Sequence, residues 1–363
     1  ANEIYDIVKF QVSGKTIAAP LATTVSVGDE AWITPMPKSG NAEKADVSSV
    51  EKFMDKYNYT ILKFSATDKL NGAPVFNAKG QVIGLFNSAG ESQSSTDANY
   101  AKDFVVKGLS QHNITLRQSN IRIGLPNTVE EAVVALMLSS EKPTNIHEAI
   151  VNEFITKFPQ ANDGYYALAN IQVAKGDFAN ADKTMQTAIS KVSAKDEAHY
   201  NFARLIYRNA LIQEFAEKTK SVGWTLDKAL DEIKKAETTK ANDAYRHLQA
   251  QIIYAKGDYA KAYTEFEALT KTKFNNPELY LEMAQSRQHL GANDQEILDL
   301  LNKSIELCDT PYVSTSAPYF YTRGQQLEKM GEYRKAVQDY YTYEYFNQGR
   351  LSAAFYYMRE QCE

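Results

Sequence analysis

The sequence predicts a multidomain chain of α and β structure: a small β-barrel in residues 1–115, a linker and irregular helical pair over 116–160, and an α-helical solenoid in residues 161–363. Two observations carry this. Gly-acid-aromatic strings recur in the C-terminal half, each between two helical runs. In the N-terminal half, alternating apolar runs are broken by turn residues, as strands demand. A length of 363 residues with 44% hydrophobic composition leaves room for more than one core.

The strings are Gly176-Asp177-Phe178, Gly257-Asp258-Tyr259 and Gly331-Glu332-Tyr333. Three residues after each aromatic sits an alanine: Ala181, Ala262 and Ala336. Twelve residues before each alanine is another small residue: Ala169, Ala250 and Gly324. A reduced copy keeps Ala284 and Gly291, and Gly257 lies 291 − 257 = 34 residues before Gly291. Glycine takes the left-handed conformation that ends a helix. Small residues let two helices cross closely, and Met185, Phe266, Leu301 and Tyr340 fill the gap to the next hairpin. One such hairpin cannot bury its apolar face, whereas a stack can.

This pattern resembles the tetratricopeptide repeat, whose period is 34. It places hairpins at about 162–193, 196–240, 243–273, 276–306 and 316–346, the second with an insertion around Leu211–Gly223, and one further helix in Leu351–Glu363. The resemblance implies partner binding through the inner face of each first helix. On this chain that face is Tyr166, Asn170, Asn201, Arg208, His247, Gln251, Tyr254, Gln285, Gln288, Tyr321 and Gln325. These residues are polar, amide-rich and nearly uncharged. No Lys and Arg cluster is present to grip a C-terminal carboxylate, so the expected partner is a protein or extended peptide.

In the N-terminal half, Asn77-Ala78-Lys79-Gly80 separates Pro74-Val75-Phe76 from Gln81-Val82-Ile83-Gly84-Leu85-Phe86, a hairpin signal. Leu70-Asn71-Gly72-Ala73-Pro74-Val75-Phe76-Asn77 followed by Gly80–Gly84 is similar to the nucleophile loop and hairpin of trypsin-like serine proteases of the HtrA type. Three more stretches fit in order: Tyr5–Phe10 as the strand beginning at the triad aspartate, Gly28–Trp32 as a Gly-Asp-x-Val strand, and Asn99-Tyr100-Ala101 with Phe104–Leu109 as the closing strand and helix. The resemblance covers residues 3–112 and implies the second barrel of a two-barrel fold, half of a trypsin-like protease. Asp6 matches the aspartate position. Asn71 stands where the nucleophile belongs, and a carboxamide is not activated by a base as a hydroxyl is. Lys69 replaces the glycine that donates an oxyanion N–H. No catalytic residue set is therefore expected, and the barrel reads as a protease relative without protease activity. The plain alternatives are a strand-end aspartate and a turn asparagine.

Net charge is −5 with the signs interspersed, so a nucleic-acid groove has no electrostatic support. No apolar run approaches the roughly 18 residues of a bilayer span. Cys308 and Cys362 show neither metal-ligand spacing nor a disulfide framework. The five histidines, His112, His147, His199, His247 and His289, include no i, i+4 pair, so neither a zinc site nor a cofactor is expected. Of 23 tyrosines, many crowd the C-terminal end, as helix packing or as a partner surface. The strand-like start without a leader reads as a processed or trimmed chain, and with the protease resemblance it suggests an extracytoplasmic bacterial protein. The leading reading is a non-catalytic binding scaffold. The alternatives are a fragment of a serine protease with a partner-binding solenoid, and a structural subunit of a larger assembly.

Overall fold

The computed structural model describes residues 7, 9, 14–35, 40–63, 70–89, 92–105 and 123–363. They divide into two compact units, Ala1–Phe154 and Ile155–Glu363. In the first, six antiparallel strands close into a barrel in the order β1-β2-β3-β6-β5-β4. The strands are β1 (Glu30–Ile33), β2 (Glu43–Phe53), β3 (Tyr57–Lys63), β4 (Pro74–Asn77), β5 (Val82–Ala89) and β6 (Ser92–Asp97). Ala31, Ile33, Val47, Leu62, Val75, Ile83 and Phe86 fill its core. The β4–β5 turn is the expected one: Asn77 Oδ1 accepts from the N–H of Lys79 (3.0 Å) and of Gln81 (2.9 Å).

The closing strand differs from expectation. Asn99-Tyr100-Ala101 lie in a short helix, α1 (Ala98–Asp103), and β6 closes the sheet. Asp97 is the cause: its carboxylate accepts from the N–H of Asn99 (2.8 Å), starting the helix, and from that of Asn58 on β3 (2.9 Å). Strand β6 reads Ser-Gln-Ser-Ser-Thr-Asp, yet Gln93 to Asp97 are buried, with Ser94 Oγ accepting from the Tyr59 hydroxyl at 2.8 Å. Helices α2 (Val129–Ser139) and α3 (Thr144–Lys157) follow.

The helical unit contains α4 (Asn162–Ala174), α5 (Phe178–Lys191), α6 (Lys195–Ala210), α7 (Ala216–Ser221), α8 (Leu226–Thr239), α9 (Asp243–Ala255), α10 (Tyr259–Thr270), α11 (Pro277–His289), α12 (Asp294–Glu306), α13 (Ala317–Lys329), α14 (Tyr333–Phe346) and α15 (Ala353–Cys362). Five hairpins pair α4 with α5, α6 with α8, α9 with α10, α11 with α12, and α13 with α14. The Gly-Asp strings act twice. Gly257, at φ +87°, ends α9: its N–H bonds to Tyr254 O (2.9 Å), and that of Asp258 to Ile253 O (3.3 Å). Asp258 then opens α10 by accepting from the N–H of Lys261 (3.2 Å), as Asp177 does from Asn180 (3.2 Å). Glu332, one methylene longer, makes no such cap bond.

At the helix crossings Ala169, Ala181, Ala250, Ala262 and Ala336 are fully buried. At Gly324 a Cβ would stand 2.6 Å from Tyr340 Cε1, so the tyrosine ring occupies the space a side chain would need. Directly after the inserted segment, buried Trp224 packs on Phe178 and Phe202 and donates from Nε1 to Asp182 Oδ1 (2.8 Å). Tyr340, with Leu327, Ala336, Phe355 and Cys362, forms the core beneath α15. Tyr341, Tyr345 and Tyr357 are exposed, so the C-terminal tyrosines divide between core and surface. Among the described residues, no helix is long and apolar enough to cross a membrane.

Candidate functional site

The first helices of successive hairpins are joined side by side through polar residues. Between α4 and α6, the Arg204 guanidinium lies 4.7 Å from the Tyr166 ring centre, and its Nε donates to the Tyr166 hydroxyl (3.0 Å). Between α6 and α9, the Tyr245 hydroxyl donates to Asp196 Oδ2 (2.9 Å), and burial, with this bond, pushes the phenol pKa well up. From α9 to α11, His247 Nε2 meets Glu282 Oε2 at 2.6 Å, and Gln251 Nε2 donates to Glu282 Oε1 at 2.7 Å.

Between α11 and α13 the polar face opens into a cavity of about 160 Å³. Gln285, Gln288, Gln325 and Gln326 line it with Thr322 and Lys329, over a floor of Ala284, Ile297 and Leu301. Gln325 Nε2 also donates to the Tyr321 hydroxyl (3.2 Å), and Gln326 Nε2 to Asp294 Oδ1 (3.0 Å). Gln285, Gln288 and Gln325 are thus brought together at one opening, with Tyr321 tied to it through Gln325.

The other inner-face residues are spread along the row. Asn170 Nδ2 donates to the Tyr166 carbonyl (2.7 Å), Asn201 is half-buried, and Arg208 is exposed. Tyr254 is half-buried, its ring edge-on to Tyr259 and His289, so it packs the hairpin as well as facing outward. His247 differs from expectation: it is 8% exposed, and its Nε2 is engaged by Glu282.

The expectation of a nearly uncharged face needs correction. Glu278 and Glu282, four residues apart on α11, stand beside His247, with ligand atoms of all three within 4.8 Å of one another. Burial raises the Glu282 carboxyl above its ordinary range, and the bond from His247 only partly offsets this. Burial works to lower the His247 pKa, but Glu282 outweighs it and the net shift is upward. The pair therefore holds a proton to higher pH than an isolated imidazole. Tyr319 on α13 is half-buried, and this desolvation, with Glu278 and Glu282 nearby, pushes its pKa up to about 12. Glu278 and Glu282 could have been found from sequence, since 278, 282 and 285 lie on one helical stripe.

Asn71, in the barrel unit, is a turn residue: its Oδ1 accepts from the Ser88 N–H (2.7 Å), and the N–H of Gly72 bonds to Phe86 O (2.8 Å). Asp6 and Lys69 lie outside the described residues.

With helices, caps and crossings in this register, the helical unit is a tetratricopeptide-type solenoid. No family model matches the chain, and no curated protein matches its sequence. Among solved structures it is similar to a thermophilic tetratricopeptide repeat protein of Thermus thermophilus, at 17% identity and a TM-score of 0.41, over 53% of this chain and 95% of that one. A tetratricopeptide repeat protein from Parabacteroides merdae gives 12%, 0.47, 70% and 90%, and Pseudomonas aeruginosa pilF gives 12%, 0.44, 63% and 95%. Likenesses this distant carry no functional information.

Proposed function

We propose that the chain is a non-catalytic scaffold whose solenoid holds an extended peptide segment of a protein partner. The cavity between α11 and α13 carries this reading. Its four glutamine amides offer both donors and acceptors, which suits a peptide backbone, and its apolar floor accepts a small side chain. The net charge of −5 disfavours nucleic acid. For the barrel we propose a protease-like module without activity: the resemblance in residues 70–84 places Asn71 at the nucleophile position, and its carboxamide is used to hold the turn against β5.

The test is selection of a pool of unstructured peptides on the whole chain. Gln288→Ala with Gln325→Ala is expected to weaken the selected peptides at least about tenfold, or 1.4 kcal/mol, without changing the melting temperature. The bound peptides are expected to remain uncleaved, with no serine labelled by a fluorophosphonate. Unchanged binding in the double variant would remove the cavity from the interface, and cleavage with labelling would make the barrel an enzyme.

A further inference from the structure

We propose that His247, Glu278 and Glu282 form a binding site for one divalent transition-metal cation of the zinc class. The three side chains come from adjacent first helices, α9 and α11, and each offers one ligand atom within 4.8 Å of the other two. Zinc takes nitrogen and carboxylate oxygen ligands at about 2.0–2.2 Å in a tetrahedron, which sets ligand atoms roughly 3.3–3.5 Å apart. His247 Nε2 and Glu282 Oε2, at 2.6 Å around a shared proton, need only separate by under about 1 Å to admit the ion. Glu278 closes in from the solvent side.

The surroundings support a cation. Glu282 is held from behind by Gln251, which fixes one oxygen and leaves the other toward His247. Among the described residues, no lysine or arginine forms an ion pair with Glu278 or Glu282; the sole salt-bridge partner of Glu282 is His247. Facing the cluster from neighbouring elements are Tyr207 of α6, Tyr254 of α9 and Tyr319 of α13, all neutral near pH 7. Two carboxylates with one imidazole carry excess negative charge that a single proton does not neutralise. Binding exchanges that proton for the ion: one H⁺ leaves to solvent and one M²⁺ enters. The imidazole nitrogen favours zinc, nickel or copper over magnesium and calcium, which prefer oxygen ligands.

A second histidine–carboxylate pair makes the contrast. His199 Nδ1 lies 2.6 Å from Glu232, but there Lys235 already supplies a positive charge at 2.7 Å. His199→Gln is therefore the control.

The experiment strips the full chain with a chelator and titrates it with zinc against a chromogenic competitor, with no peptide present. One equivalent is expected to bind with a Kd on the order of 1 µM or tighter. His247→Gln should abolish binding and Glu278→Gln should weaken it at least tenfold, while His199→Gln binds as the parent does. Glu278→Gln decides the matter because the side chain is exposed and its loss leaves the fold intact, which circular dichroism checks. Zinc should also raise the melting temperature of the parent and not that of Glu278→Gln. No stoichiometric uptake by the parent, parental affinity in Glu278→Gln, or displacement of zinc by equal magnesium would each overturn the site. Zinc uptake is read without a peptide, so its failure and the failure of peptide capture are separate results.

Discussion

Helix α9 carries two faces of different character. On one side, Ala250 is fully buried and packs with Ala262 of α10. On another, His247 and Gln251 reach across to Glu282 of α11. The first face is copied, in residue size, in three of the five hairpins: Ala169, Ala250 and Gly324 play one part, and Ala181, Ala262 and Ala336 the other. The second is never copied. Its links are arginine on tyrosine, tyrosine on aspartate, histidine on glutamate, and then a glutamine-lined cavity. Repetition follows from packing, which these three hairpins solve alike, and variation along the row is where chemistry can differ from one hairpin to the next.

The sharpest way to break this comparison is to overfill a crossing. Ala262→Arg forces a long charged side chain into a site with no exposed surface and is expected to cost at least about 2–3 kcal/mol. The exposed neighbour Lys261→Ala should stay within about 0.5 kcal/mol. Chemical denaturation of both compares the midpoints, and equal values would refute the close crossing. A smaller effect separates the copies from each other. Asp258→Ala removes a formed cap and should cost about 1 kcal/mol. Glu332→Ala removes none and should change stability by less than about 0.5 kcal/mol. If both cost the same, the cap bond is not what the aspartate contributes.

The smallest effect tests the other face. His247 and Glu282 both have raised pKa values in the fold, so the folded state keeps a proton that the unfolded chain has released. The unfolded state then binds fewer protons, and stability falls as pH rises. For the imidazole this loss begins near its ordinary value of 6.5 and is complete above the raised folded value. Urea unfolding with chelator present should show the parent losing stability from about pH 6.5 upward, with the loss much reduced in His247→Gln. An identical slope in the two proteins would mean that the pair does not hold the proton.

Much of the helical unit was legible because its rules are local and repeated. A glycine at φ +87° followed by a capping aspartate is a short-range signal, and the small residues recur at a fixed offset from it. Strand β6 was not legible. Its residues are polar, and they are buried because partners across the sheet satisfy them: Tyr59 for Ser94, and Asn58 for Asp97. No apolar alternation announces such a strand. The acidic cluster escaped for another reason. A search for paired histidines within one helix looks four residues away, whereas His247 finds Glu282 thirty-five residues on, about one repeat later. The solenoid turns a distance of one period into a side-by-side contact. Asn71 illustrates the reverse limit: its place in a motif was visible, but its bond to Ser88 depends on how the loop folds back on β5.

The insertion that interrupts the second hairpin has a practical consequence. The chain contains two tryptophans, Trp32 and Trp224. Trp32 lies half-buried on β1 of the barrel, and Trp224 is 2% exposed in the solenoid, its indole N–H fixed on Asp182. Each unit thus carries its own built-in optical probe. With Trp32 replaced by phenylalanine, the red shift of the remaining emission follows the solenoid alone, and the fluorescence of the intact chain, compared with it, separates the melting of the barrel from that of the repeats.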